Sequence, residues 1–257
     1  AALPVILDLR IVGSEVTYRT TSGNLLHIAL DSTTIAAPDA QQPITLKADG
    51  SYNAVKVGIG GTMGSFVALR DPDVKFPMDV TATSGDTTLG FVGTAIDPLG
   101  VDGLEGRIAV RAGSLDTLLA IAGEGTRHPA KVELDADFVH RDNIWRATNG
   151  QGKLDGAAFT APLLLLTEGT GGQPDHVAVD IALTRLDLNR MLGPAPKPGE
   201  ADAGDADMPL RVATRPDPEV VARVAVQDLV YAKLRAKGVA MRAALAPGQI
   251  TVDALSM

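Results

Sequence analysis

Few residue groups in this chain could do chemistry, and the spacing of each argues against the reaction it suggests. Gly58, Gly60, Gly61 and Gly64 could cradle a phosphate on backbone N–H groups, as a GxGxxG turn does. Met63 occupies the third glycine position, however, and no Lys-Ser/Thr pair follows. Glycines inside a strand pattern mark bends or bulges, and that is the reading adopted. Asp202, Asp205 and Asp207 offer hard oxygen ligands without the ligand spacing of a calcium loop, so they read as a solvated acidic run. His27, His128, His140 and His176 are scattered, with no HxH or HxxxH pair to bring two imidazoles to one face. No GxSxG elbow presents a serine nucleophile. Carboxylates are abundant enough for a glycosidase pair across two strands. Most, such as Glu133, Asp135 and Asp137, alternate with apolar residues and so mark the wet face of a sheet. No catalytic residue, metal site or cofactor is assigned.

What remains is the pattern of the elements themselves. Apolar residues recur with a period of two in most of the chain, which places successive side chains on opposite faces of strands. Val132, Leu134, Ala136 and Phe138 face one way, while Lys131, Glu133, Asp135 and Asp137 face the other. Val177, Val179, Ile181 and Leu183 repeat the pattern, as do Val224 and Val226, and then Val239, Met241 and Leu245. Earlier strands are read at Val16–Tyr18, Leu26–Leu30, Ile44–Ala48, Val55–Ile59, Phe76–Ala82, Leu89–Phe91 and Ile108–Ala112. The run Leu163 to Leu166 breaks the alternation and reads as two-sided core. Leu229-Val230-Tyr231 reads as a link between two strands.

Helices are few. Ser65 can cap a short one from Phe66 to Arg70, Ser114 caps Leu115 to Gly123, and Asp187 caps Leu188 to Leu192. Leu115, Leu118, Leu119 and Ala122 share one face of the second. Between 194 and 218, six prolines and an acidic run carry no hydrophobic period, so this segment reads as a mobile linker. The chain is expected to divide into a β-rich domain at 1–193, the linker at 194–218 and a β-meander at 219–257.

Composition narrows the function classes. The formal charge is −8 and aromatics make up 4% of 257 residues, so neither a cationic stripe nor stacking platforms exist for nucleic acid. Cysteine is absent, which excludes disulfides and thiolate metal sites. No run of 18 or more apolar residues could span a bilayer as a helix. The first residue is not Met and the last residues continue a strand pattern, so the chain is expected to be part of a longer protein.

The closing run VVARVAVQDLVYAKLRAKGVAMRAALAPGQITVDALSM resembles the final β-repeat of the AsmA family. The opening LPVILDLRIVGSEVTYRTTSGNLLHIALDSTTI is similar to the first strand pair of that family's large non-cytoplasmic region, and GTMGSFVALRDPDVKFPMDVTATSGDTTLGFVGTAIDPLGVDGLEGRIAVRAGSLDTLL resembles its middle. The strand pattern with about three short helices points to a mainly β fold, a long twisted antiparallel sheet folded partly on itself as a partly closed sandwich, and the resemblance implies that it curls into a gutter. It implies a periplasmic location, an inner-membrane anchor N-terminal to this chain, and lipid acyl chains lying in an apolar groove without catalysis. The groove candidates are Val132, Leu134, Ala136, Phe138, Val177, Val179, Ile181, Val224, Val226, Val239, Met241 and Leu245. The alternatives are a closed β-sandwich serving as a structural or protein-interaction module, and a carbohydrate-active enzyme.

Overall fold

The alternating segments build fourteen strands: β1 (Asp8–Arg19), β2 (Leu25–Ala36), β3 (Pro43–Tyr52), β4 (Val55–Ser65), β5 (Phe76–Ser84), β6 (Thr87–Ala95), β7 (Leu104–Ala112), β8 (Val132–Arg141), β9 (Ile144–Leu154), β10 (Ala157–Thr167), β11 (His176–Asp187), β12 (Glu219–Tyr231), β13 (Leu234–Ala246) and β14 (Gln249–Ser256). The computed structural model describes residues 7–19, 25–52, 55–71, 74–117, 130–189, 218–246 and 248–256. All fourteen strands belong to one sheet, and their order in space is their order in the chain. β1 and β14 are its two edges, so the sheet does not close on itself. The shape is compatible with a gutter. The strands run from 8 to 13 residues, well beyond the usual length of about 5–6, where shorter strands were expected.

Every neighbouring pair is antiparallel except one. β11 and β12 run parallel, from His176 opposite Glu219 to Asp187 opposite Val230. The wholly antiparallel sheet is corrected at this pair. A parallel neighbour requires the chain to return across the whole strand length, and a hairpin cannot do that. The stretch from 188 to 218, which includes the segment 194–218 read as a linker, connects the two strands, and all but 188, 189 and 218 of it lie outside the described residues. Its start is tied down locally: Asp187 Oδ1 accepts the Asn189 N–H (3.1 Å), and Asn189 Oδ1 accepts the Ala232 N–H (2.6 Å) at the β12–β13 turn.

Three further expectations change in detail. Leu229, Val230 and Tyr231 belong to β12, and the turn falls at Ala232 and Lys233, with Ala232 at positive φ. In β10 the Leu163–Leu166 run follows a bulge between Thr160 and Leu163, after which Leu164 pairs with Val179 and Leu165 with Ala178. The extra residue resets the alternation, so Leu164 and Leu166 share one face and Leu163 and Leu165 the other. Among the described residues one helical element is complete rather than about three: a short 3-10 helix, Ala68–Arg70. Ser65 Oγ accepts the Ala68 N–H (3.2 Å) there. Ser114 Oγ accepts the Asp116 N–H (3.1 Å), as a cap should, and residues 115–117 are helical. Residues 118–123 and 190–192, the remainder of the two stretches expected as helices, lie outside the described residues.

Burial is strongly one-sided. By register, every buried apolar residue within a strand lies on a single face, among them Ile44, Phe76, Phe91, Leu104, Ala136, Phe159, Leu183, Val226 and Val239. Among the described residues only Ile44, of the larger side chains, is fully enclosed. Sheets packed face to face would enclose a whole layer of such residues. A face that is half-shielded, with no second sheet over it among the described residues, is the concave side of a curled one.

Glycine permits the curl. Gly93 of β6 pairs with Gly106 of β7 on the concave face. A Cβ on Gly106 would strike the Val92 carbonyl oxygen and the Gly93 Cα, both backbone. Phe91 and Phe138 cover the pair, their rings edge to face with centroids 6.0 Å apart. The glycines let the strands approach, and the aromatic rings restore the apolar contact that the missing side chains would have made.

Candidate functional site

The concave face can be read across the sheet by register. One row runs Ile44, Met63, Met78, Gly93, Gly106, Phe138, Ala147, Leu164, Val179, Ala222, Ala243 and Val252, one residue from each of β3 to β14. A second runs Ala48, Ile59, Ala82, Leu89, Val110, Leu134, Gly152, Phe159, Leu183, Val226 and Val239. Neither contains a polar side chain. At a strand spacing of about 4.8 Å, the first row traces about 50 Å along the sheet.

All twelve groove candidates lie on this face. Phe138 and Val179 are in the first row, and Leu134, Val226 and Val239 in the second. Val177 and Leu245 join a third row, Leu104, His140, Trp145, Leu166, Val177, Val220, Leu245 and Ile250. Ile181, Val224 and Met241 pair in sequence on β11, β12 and β13, while Val132 faces Ala112, and Ala136 faces Ile108. They are not equally available. Val226 and Val239 are buried with Phe159, Ala161 and Leu183 in a cluster against which Leu134, Ile181 and Val224 pack, whereas Met241 is 37% exposed. That part of the face is largely filled by its own side chains.

Hollows remain where side chains are small or strands diverge. One of about 240 Å³ lies among Phe138, Trp145, Ala147, Leu164, Leu166, Val177 and Val179. Another, of about 420 Å³, lies over β2 to β6, among Leu30, Ala48, Val57, Ile59, Ala82 and Leu89. Ile59 and Leu89 are 40% and 44% exposed. None of the residues of this second hollow was among the candidates. Its signal was present in the alternation of Ile44–Ala48 and Val55–Ile59, but a row's length in sequence says nothing about whether its face is filled.

One ionisable residue sits within the rows described. His140 is buried, stacked on Trp145 with ring centroids 3.7 Å apart, and its Nδ1 donates to the Val101 carbonyl (2.7 Å). Asp102 lies 3.9 Å from the same nitrogen, and Trp145 Nε1 donates to Glu168 Oε1 (2.8 Å). Asp102 holds its proton less tightly than an ordinary carboxyl, because the Gly103 and Asp142 backbone N–H groups bond to its carboxylate. These contacts tie the β6–β7 loop to the β8–β9 hairpin. The convex face carries the charges: Arg111 pairs with Asp135 (2.7 Å), Arg107 with Asp137 (3.9 Å) and Arg242 with Asp253 (3.7 Å). Among the described residues no group of three His, Asp or Glu side chains is placed to hold a metal ion. Nor is any helix there long and apolar enough to cross a membrane.

Comparison with known proteins gives one partial match. Over 78 residues, 30% of this chain, the sequence is 33% identical to the AsmA family protein YhjG of Escherichia coli (strain K12). The aligned stretch is 11% of that protein's length. No family model matches the chain, and no solved structure does.

Proposed function

We propose that this chain is a non-enzymatic, periplasmic β-rich segment that holds lipid acyl chains along its concave face and contributes to envelope and outer-membrane biogenesis. A segment N-terminal to it would anchor the protein in the inner membrane. The observation that carries the proposal is the unbroken apolar row across twelve strands, on a face over which no second sheet lies among the described residues. An acyl chain spans about half of a hydrocarbon core about 30 Å thick, so a 50 Å trough accommodates it end to end. Aliphatic side chains recognise such chains by area alone, at about 0.8 kcal/mol for each methylene removed from water. The partial likeness to an AsmA family protein supports the envelope setting. Native mass spectrometry of the purified protein tests the reading: co-purifying phospholipid that an apolar competitor displaces is the expected result. Protein that emerges lipid-free and takes up no lipid from vesicles would sink it.

A further inference from the structure

We propose that the hollow over β2 to β6 is a distinct binding site for a single-chain amphiphile with an uncharged, hydroxyl-bearing head, such as a monoacylglycerol. The proposal rests on the lipid-handling reading above and assigns one part of the face a specific ligand. Three observations carry it.

The first is volume. At about 420 Å³ the hollow is in the lower part of the range of about 300–1,000 Å³ usual for small-molecule sites. It has room for one hydrocarbon chain. Its floor, built on Ala48, Ile59, Ala82 and Leu89, continues the second apolar row, so the chain would lie over aliphatic carbon.

The second is the polar end. Ser84 and Thr87 pair across the β5–β6 hairpin and line the hollow, as does Tyr52 of β3. Thr87 is 3% exposed, and its Oγ1 has no hydrogen-bond partner. A buried hydroxyl without a partner is costly, and a ligand supplying one would remove that cost. A small shift of the side chain on binding would suffice to bring Oγ1 to the ligand.

The third is charge. No Lys or Arg lines the hollow, and Asp49, the one charged residue on its rim, alternates with Ala48 and turns its carboxylate to the opposite face, toward Gly58. A carboxylate or phosphate head would give up water with no cation to neutralise it, whereas hydroxyls can donate to or accept from Ser84 and Thr87.

Isothermal titration with monododecanoylglycerol, below its aggregation concentration, tests the proposal against dodecanoate at pH 8. One-to-one binding of the monoacylglycerol, at least tenfold tighter than dodecanoate, is expected. Ala82→Phe, which fills the floor, should abolish it. Thr87→Val keeps the shape and removes the hydroxyl, and should weaken binding about tenfold without lowering the thermal midpoint of the empty protein. Should Ala82→Phe misfold by circular dichroism, Leu89→Trp fills the same space from an exposed position. Parent-like binding by the folded filling variant, or dodecanoate binding as tightly as the monoacylglycerol, overturns the proposal. If phospholipid still co-purifies with that variant and the parent ignores monoacylglycerol, this site falls and the broader reading stands. If the parent takes up neither lipid, both fall.

Discussion

Two positions on the concave face, Val226 and Met241, separate an open trough from a closed core. Val224 pairs with Met241 and Val226 with Val239, so the two sites are near neighbours on one surface. Val226 is 4% exposed and belongs to the cluster around Phe159 and Leu183. A glutamate there forfeits nearly all of the about 1.5–3 kcal/mol that burying a valine contributes. Its carboxylate must also leave water or take up a proton, at a cost of several kcal/mol. The sum approaches the whole stability of a domain, about 5–15 kcal/mol. Met241 is 37% exposed and hence 63% buried, which scales the same range to about 1–2 kcal/mol. Its carboxylate would reach solvent across the open face, so little desolvation cost is added. Urea unfolding followed by the fluorescence of Trp145, the single tryptophan, reads the difference. Met241→Glu is expected to fold with a slightly lowered midpoint and to lose fluorescent fatty acid, while Val226→Glu is expected to unfold or aggregate. If Met241→Glu collapses as Val226→Glu does, the face is closed and the argument from exposure fails.

Other expectations follow from single contacts. Gly106→Ala should destabilise by about 1–3 kcal/mol, since its Cβ meets backbone of β6 that cannot rotate away, and an unchanged urea midpoint would disprove the close approach. Ser114→Ala should lower stability by about 1 kcal/mol through loss of the bond from the Asp116 N–H, unless thermal melting shows that Ser114 caps nothing that matters. Asp102 titrates below its ordinary value of 3.8, chiefly because the Gly103 N–H bonds to its carboxylate, and next because that of Asp142 does (2.8 Å). A depressed carboxyl contributes stability that is complete above its unfolded value and lost as pH falls through the folded one. Asp102→Asn should therefore flatten the acid limb of the stability profile, as pH falls through and below the ordinary value of 3.8, and a profile parallel to the parent's would show that Asp102 is not part of it.

Much of this protein was legible in its residues because the determining signal is local. A period of two in apolar side chains fixes which residues can share a face, and each of the twelve groove candidates lies on the face that its own alternation predicted. Ser114 and Asp187 were readable as caps because a cap spans two or three residues, whereas the short helix after Ser65 starts at Ala68 with Val67 at its N-cap. The polar row of Glu133, Asp135 and Asp137 was readable as a wet face for the same reason, and Arg107 and Arg111 now pair with two of its members. The tertiary structure decided what depends on partners distant in sequence. Alternation is identical for parallel and antiparallel neighbours, so nothing within β11 or β12 announced that they run side by side in one direction. That follows from where the chain re-enters the sheet after residue 187. The bulge before Leu163 depends on register against β11, and the Gly93–Gly106 approach depends on two strands meeting with neither carrying a side chain. Whether a face is filled or hollow follows from the curl of the whole sheet. Curl sums small twists over fourteen strands, and no stretch of sequence carries that sum. For this reason Val226 and Ile59, both plain aliphatic residues in alternating strands, end in opposite circumstances: one enclosed among its neighbours, the other open to solvent at the edge of an apolar hollow.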